Sequence, residues 1–146
     1  MTLPAAPAGA VLISARVTMT LLENADASQS ERQLELHVLT QPVDEARTTW
    51  VNWGNGGSRR WMTPGGDFGP AVADAVLPAA TTAAELTFDV TQALTEIFST
   101  QAVPLSLIAL EPQSAAPPAA PSELAFGSTE GDASGAPLLV VQYCPP

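Results

Sequence analysis

The chain has 146 residues, which suffices for one hydrophobic core but not two. Five basic residues, all arginine, stand against 15 acidic ones, and the net charge of −10 repels phosphate backbones, so nucleic acid is not an expected partner. No apolar run approaches the ~20 residues that span a bilayer, so membrane insertion is not expected either.

With 46% hydrophobic residues, 14 Pro and 10 Gly, the composition predicts short, punctuated elements and favours strands over long helices. An acidic, lysine-free chain rich in Pro, Ala and Thr suits an exported protein of a high-GC bacterium. The opening "MTLPAAPAGAVLISARV" nevertheless lacks the positive start and long apolar segment of a signal peptide. Cys144 is the one cysteine, so it can form neither an internal disulfide nor a cysteine-based metal site within this chain. It reads as a free thiol, with an intermolecular bridge as the other reading.

From Ala10 to Leu22 the pattern alternates, with Val11, Ile13, Ala15, Val17, Met19 and Leu21 on one face and Ser14, Arg16, Thr18 and Thr20 on the other. After the polar loop "ENADASQSER", the run "QLELHVLT" resumes the alternation, with Leu34, Leu36 and Val38 inward and Glu35 and His37 outward. These two strands are expected to pair as a hairpin. The chain then leaves the sheet at Pro42 and returns with a short strand in "AVADAVLP".

"AELTFDV" places Leu86, Phe88 and Val90 on one face, after which the period changes. Val90, Leu94, Ile97 and Phe98 repeat at helical spacing, and Asp89 with Gln92 makes a capping box, so a short helix is predicted near residues 90–98. "VPLSLIAL" reads as a central strand buried on both faces. Residues 111–122 form a Pro/Ala/Ser loop expected to be mobile. "ELAFGS" and "APLLVVQY" supply the last strands, and Tyr143 ends the second of them. The expected architecture is a single all-β domain over residues 1–146, an antiparallel β-sandwich of the jelly-roll type with about seven strands.

All three tryptophans lie in "TTWVNWGNGGSRRWMTPGGDFG". Arg59 and Arg60 sit side by side there, with Arg47 near in sequence, and guanidinium groups bond carboxylates bidentately. They can clamp uronic acids while Trp53 stacks on a sugar face and Asn52 and Asn55 bond its hydroxyls. Alternatively Arg59 or Arg60 pairs with Asp44, Glu45 or Asp67 to fasten the loop. "PGGD" reads as a turn, with Gly65 or Gly66 at positive φ and Asp67 bonding nearby backbone. Asp67, Asp74 and Asp89 are weak candidates for a structural Ca²⁺, and their spacing is not that of an EF-hand loop.

Little points to catalysis. His37 is the sole histidine, on the expected polar side of a strand. "GNGG" lacks the following helix that a phosphate cradle requires, and no nucleophile elbow occurs. Glu123 and Glu130 are a carboxylate pair in loops, where acids are ordinarily solvated. No catalytic residue and no obligatory cofactor are expected.

Several segments in order resemble the DNRLRE-domain family, extracellular jelly-roll modules of bacteria and archaea classed with carbohydrate-binding modules. "LPAAPAGAVLISARVTMTLLE" resembles the strand after the family's "LPAGA" turn. "VDEARTTWVNW" resembles its "W-x-E-x-x-x-TW-N" segment, "WMTPGGDF" its most recognisable run, and "LTFDVTQALTEI" its "F-D-V-T-x-L-V" signature. "FGSTEGDASGAPLLVVQY" resembles its closing "F-x-S-x-E…P-x-L-x-V-x-Y".

The resemblance implies a non-catalytic, extracellular or cell-surface module that binds polysaccharide. It also implies that Trp50 and Trp61 are core or end-cap residues. Trp53 lies two residues from Trp50, but the following "GNGGS" turns the chain there, so Trp53 is the tryptophan expected to face solvent. The family begins with some forty further residues, including two strands, so a partner chain or a second copy is expected to supply or cover the sheet edge. That gives the alternative expectation, a structural subunit of a surface assembly.

Overall fold

Period-two alternation of apolar and polar residues commits the longest runs of this chain to strands, and the computed structural model arranges seven strands in two antiparallel sheets among the described residues. It describes residues 9–25, 30–41, 43–44, 47–54, 59–99, 106–112, 123–128 and 135–145, the side chains of 97–99 excepted. Asn55, Glu45, Glu130, Pro42, most of the 111–122 loop and the side chains of Ile97 and Phe98 therefore lie outside the described residues.

The elements are β1 (Val11–Asn24), β2 (Arg32–Leu39), β3 (Phe68–Leu77), β4 (Ala84–Asp89), α1 (Thr91–Ser99), β5 (Leu107–Leu110), β6 (Leu124–Phe126) and β7 (Leu138–Cys144). One sheet is built on β1, which pairs with β4 along one edge and with β7 and then β6 along the other. The second runs β3-β2-β5. Gly127 lets β6 and the approach to β7 share one edge of β1, because a Cβ there would stand 2.1 Å from the Gly135 carbonyl oxygen.

The expected β1–β2 hairpin does not form. Each strand carries one apolar row, and placing them in opposite sheets lets Ala15, Val17 and Leu21 join Leu34 and Leu36 in one buried core. Leu77, Leu86, Phe88, Val90 and Leu94 complete that core. Two further expectations are corrected. The strand expected to be central, β5, is four residues long, half-buried, and pairs with β2 alone among the described residues.

The inward row of β1 also changes phase. The pairing shifts between Leu12 and Ser14, so Leu12 packs on the core while Val11 and Ile13 stand exposed. A similar shift between Leu21 and Glu23 turns Asn24 inward, where its side-chain amide donates to the Thr81 carbonyl at 2.9 Å.

α1 begins where the chain leaves β4. Asp89 Oδ1 accepts from the Thr91 amide at 3.0 Å and from the Thr91 hydroxyl at 2.6 Å. Gln92 Nε2 donates to Glu96 at 3.3 Å, and no bond from the Asp89 amide to the Gln92 side chain closes the predicted capping box among the described residues. The helix start is tied instead to β1. The Val90 amide donates to the Ala15 carbonyl at 2.9 Å, and the Ala15 amide donates to Thr91 Oγ1 at 3.0 Å.

Two outcomes test this account. Replacing the fully buried Phe88 with Ala should cost about 3–5 kcal/mol in denaturant unfolding. The Thr91 hydroxyl and amide, aided by Arg16, hold the Asp89 carboxyl below the usual aspartate range. A depressed folded pKa adds stability above the unfolded value of about 3.9, and that stability is lost as pH falls through the lower folded value. The melting-temperature gap between wild type and Asp89→Asn should therefore be open near pH 6 and close in strong acid. A gap that is constant with pH would contradict the assignment.

Candidate functional site

The segment joining β2 to β3 carries the three tryptophans, and its own backbone organises it. Thr40 donates to the Asp67 carbonyl from its amide at 2.9 Å and from its hydroxyl at 3.0 Å, bringing the two ends of the segment together. Asn52 and Arg60 form an isolated antiparallel bridge. Around it the Trp53 amide donates to Arg59 O at 2.9 Å and the Trp61 amide to Val51 O at 3.1 Å. The Thr49 hydroxyl accepts the Asn52 amide at 3.1 Å, a turn motif that threonine favours.

Trp61 is the internal anchor of this loop. It is 7% exposed, and its indole N–H donates to the Thr49 carbonyl at 3.0 Å. Asp67 closes the second half, its two carboxylate oxygens accepting the Met62 and Thr63 amides, each at 2.8 Å. Asp67 thus fastens backbone, and it forms no ion pair with an arginine among the described residues.

Trp50 departs from the expectation that it belongs to the core. It is 71% exposed, with its ring laid against Gly65, where a Cβ would come within 2.7 Å of Cη2. Gly65 adopts φ of 99°, and its amide donates to the Trp50 carbonyl at 2.7 Å, so backbone and side chain of Trp50 are both held by one glycine. Val51, next in sequence, and Met62, which follows Trp61, are also exposed, Met62 at 91%. Gly66, at φ of 132°, packs instead toward Leu39, Ile108 and Phe68.

Trp53, the residue expected to face solvent, is half-buried. Arg59 covers it, with the guanidinium carbon 5.3 Å from the ring centroid, a cation–π contact across the bridge. Buried Gly54 makes room for that arginine, since a Cβ there would meet Arg59 Cδ at 3.1 Å. Arg60 is exposed and makes no ion pair among the described residues. Arg47 pairs with Asp44 at 3.4 Å, an exposed bridge of the kind that contributes little to stability. The loop thus gathers Trp50, Trp53, Arg59 and Arg60.

Asn52 does not display its amide as expected. Its side-chain Oδ1 is buried and finds no donor among the described residues.

The other candidates lie apart. Asp74 stands on β3 opposite Glu35, Asp89 caps α1, and Asp67 binds its own loop, so the three carboxylates proposed for calcium belong to different elements. Among the described residues no group of three His, Cys, Asp or Glu side chains is placed to hold a metal ion.

His37 also corrects its expectation: it is 7% exposed. Its Nδ1–H donates to the Gly69 carbonyl at 2.9 Å, Glu35 lies 3.4 Å from Nε2, and the Phe68 ring leans over it with centroids 4.7 Å apart. Phe88 is fully buried in the core, and Tyr143 is half-buried on β7. Cys144 is a free, exposed thiol.

Sequence reasoning passed over Thr49, Val51 and Met62. The "TTW" threonine carried a turn signal. Nothing in the pattern distinguished exposed Met62 from a core methionine.

No family model, curated protein or solved structure matches this chain.

The two fastenings make separable expectations. Gly65→Ala drives a methyl group into the Trp50 ring at a left-handed φ and should cost about 1–3 kcal/mol. Asp67→Ala leaves two amides without their acceptor and should cost about 1–3 kcal/mol. Thermal melts read both losses, and tryptophan fluorescence should shift in Gly65→Ala. An unchanged spectrum would mean that Trp50 is not seated on Gly65.

Proposed function

We propose that the protein is a non-catalytic, extracellular β-sandwich module that binds a polysaccharide through the β2–β3 loop, with Trp50 as its stacking platform. The observation that carries this reading is the indole of Trp50, largely exposed yet fixed against Gly65. An exposed aromatic normally loses rotamer freedom when a ligand stacks on it. Seating on Gly65 meets that loss in advance. A pyranose offers an apolar C–H face to such a ring and hydroxyls at its rim, and Arg60 supplies free donors in the same loop.

Arg59 and Arg60 further favour a glycan bearing carboxylates, because guanidinium matches carboxylate geometry. In a chain of net charge −10 this pair is a local exception. The resemblance to the DNRLRE-domain family supports the same class of ligand. A second reading, a subunit of a surface assembly, is favoured by exposed apolar side chains on β7, where Leu138 and Val140 face solvent.

Affinity electrophoresis through gels containing polygalacturonate or a neutral β-glucan tests the binding reading. Retardation by polygalacturonate should weaken about tenfold in Trp50→Ala, in line with the loss of one aromatic contact. Arg60→Ala should weaken it too and leave any neutral-glucan retardation unchanged. Mobility unaffected by either gel, or retardation indifferent to Trp50, would sink the proposal.

A further inference from the structure

The bridge that organises the tryptophan loop also sorts its side chains. Asn52 and Arg60 are paired across it, and the two bonds that flank them run from the Trp53 amide to Arg59 O and from the Trp61 amide to Val51 O. Asn52 and Arg60 therefore form a non-hydrogen-bonded pair, in which opposite side chains come closest, with Cβ atoms about 4.5–5.5 Å apart on one face of the ribbon. Trp53 and Arg59 are the next residues along and point to the other face, where their cation–π contact forms. Adjacent in sequence, the two arginines thus serve different faces.

The faces differ in how far they satisfy themselves. On one, Arg59 already lies over the Trp53 ring, 5.3 Å from its centroid. On the other, Arg60 is exposed and enters no ion pair among the described residues. Beside it the Asn52 amide donates to the Thr49 hydroxyl at 3.1 Å, and the Asn52 carbonyl accepts the Thr49 amide at 2.8 Å. Its side-chain Oδ1 is nevertheless buried with no donor among the described residues. A buried acceptor in that state costs stability, and folded proteins retain few of them. Neither the Thr49 turn nor the bridge uses the Asn52 side chain, and a ribbon position favours β-branched or aromatic residues over asparagine.

We infer that Asn52 and Arg60 are the polar recognition pair of this loop and take a uronic acid by two groups at once. Arg60 binds the carboxylate, and Asn52 Oδ1 accepts a proton from a hydroxyl of the same sugar. The inference rests on the polysaccharide reading above and narrows it. A carboxylate offers acceptors only, so it satisfies the guanidinium and not Oδ1. Oδ1 calls for a donor, which a sugar supplies as a hydroxyl. Asn52 as a whole is half-buried, and contact with the ligand requires its amide to turn about Cβ–Cγ, a broad torsion in asparagine. The cost of the orphaned oxygen is then one that the ligand removes.

Asn52→Leu roughly keeps the side-chain shape and removes the orphaned acceptor. Thermal melts of this variant, with affinity electrophoresis through polygalacturonate or polyacrylate, separate the roles, because polyacrylate carries carboxylates without hydroxyls. Asn52→Leu should melt no lower than wild type, since an apolar group replaces an unsatisfied one. Its affinity for polygalacturonate should fall about tenfold, as for the loss of one hydrogen bond, with any retardation by polyacrylate unchanged. Arg60→Ala should weaken both. An Asn52→Leu chain that binds polygalacturonate as wild type does, or that loses both polymers equally, overturns the inference and leaves polysaccharide binding standing. A melting temperature lowered together with binding makes Asn52 a structural residue and overturns it too. Wild-type mobility unaffected by polygalacturonate sinks the underlying reading, and the inference falls with it.

Discussion

Every other strand of one sheet is hydrogen-bonded to β1, and the start of the helix is bonded to it as well. A strand has two edges, and β1 uses both, with β4 on one and β7 and β6 end to end on the other. Its Ala15 peptide groups also meet Val90 and Thr91, so the β4–α1 junction is fixed to the middle of the strand. The constraint has a geometric price. To serve two edge strands and seat the helix, β1 shifts register at Ile13 and again beyond Leu21, and each shift inverts which side chains face the core. The exposed Val11 and Ile13 follow from that inversion.

Sheet β3-β2-β5 depends in the same way on β2, but its chemistry differs. Central Leu34 and Leu36 face the core, while His37 alternates with them and is covered by Phe68 and bonded to Gly69. Both Phe68 and Gly69 open β3, directly after the loop held by Asp67. The loop's return therefore shields the histidine as well as positioning the tryptophans. Trp61 and Asp67 act inside the loop, and Trp50 lies on its outside with its ring close over Gly65.

Strand existence was legible because the alternation in "VLISARVTMTLL", "QLELHVL" and "AELTFD" is strong, and the period change after Phe88 marked the helix. Pairing was not, since a polar loop between two alternating runs serves a hairpin and a crossing between sheets equally well. Bulges are invisible to a periodicity count that assumes constant phase, which is why the alternation places Val11 and Ile13 inward. In the loop, local sequence marked the turn glycines and the clustered arginines. It did not separate the three tryptophans, whose exposure depends on contacts across the bridge: Trp61 with Thr49, Trp53 with Arg59, and Trp50 with Gly65.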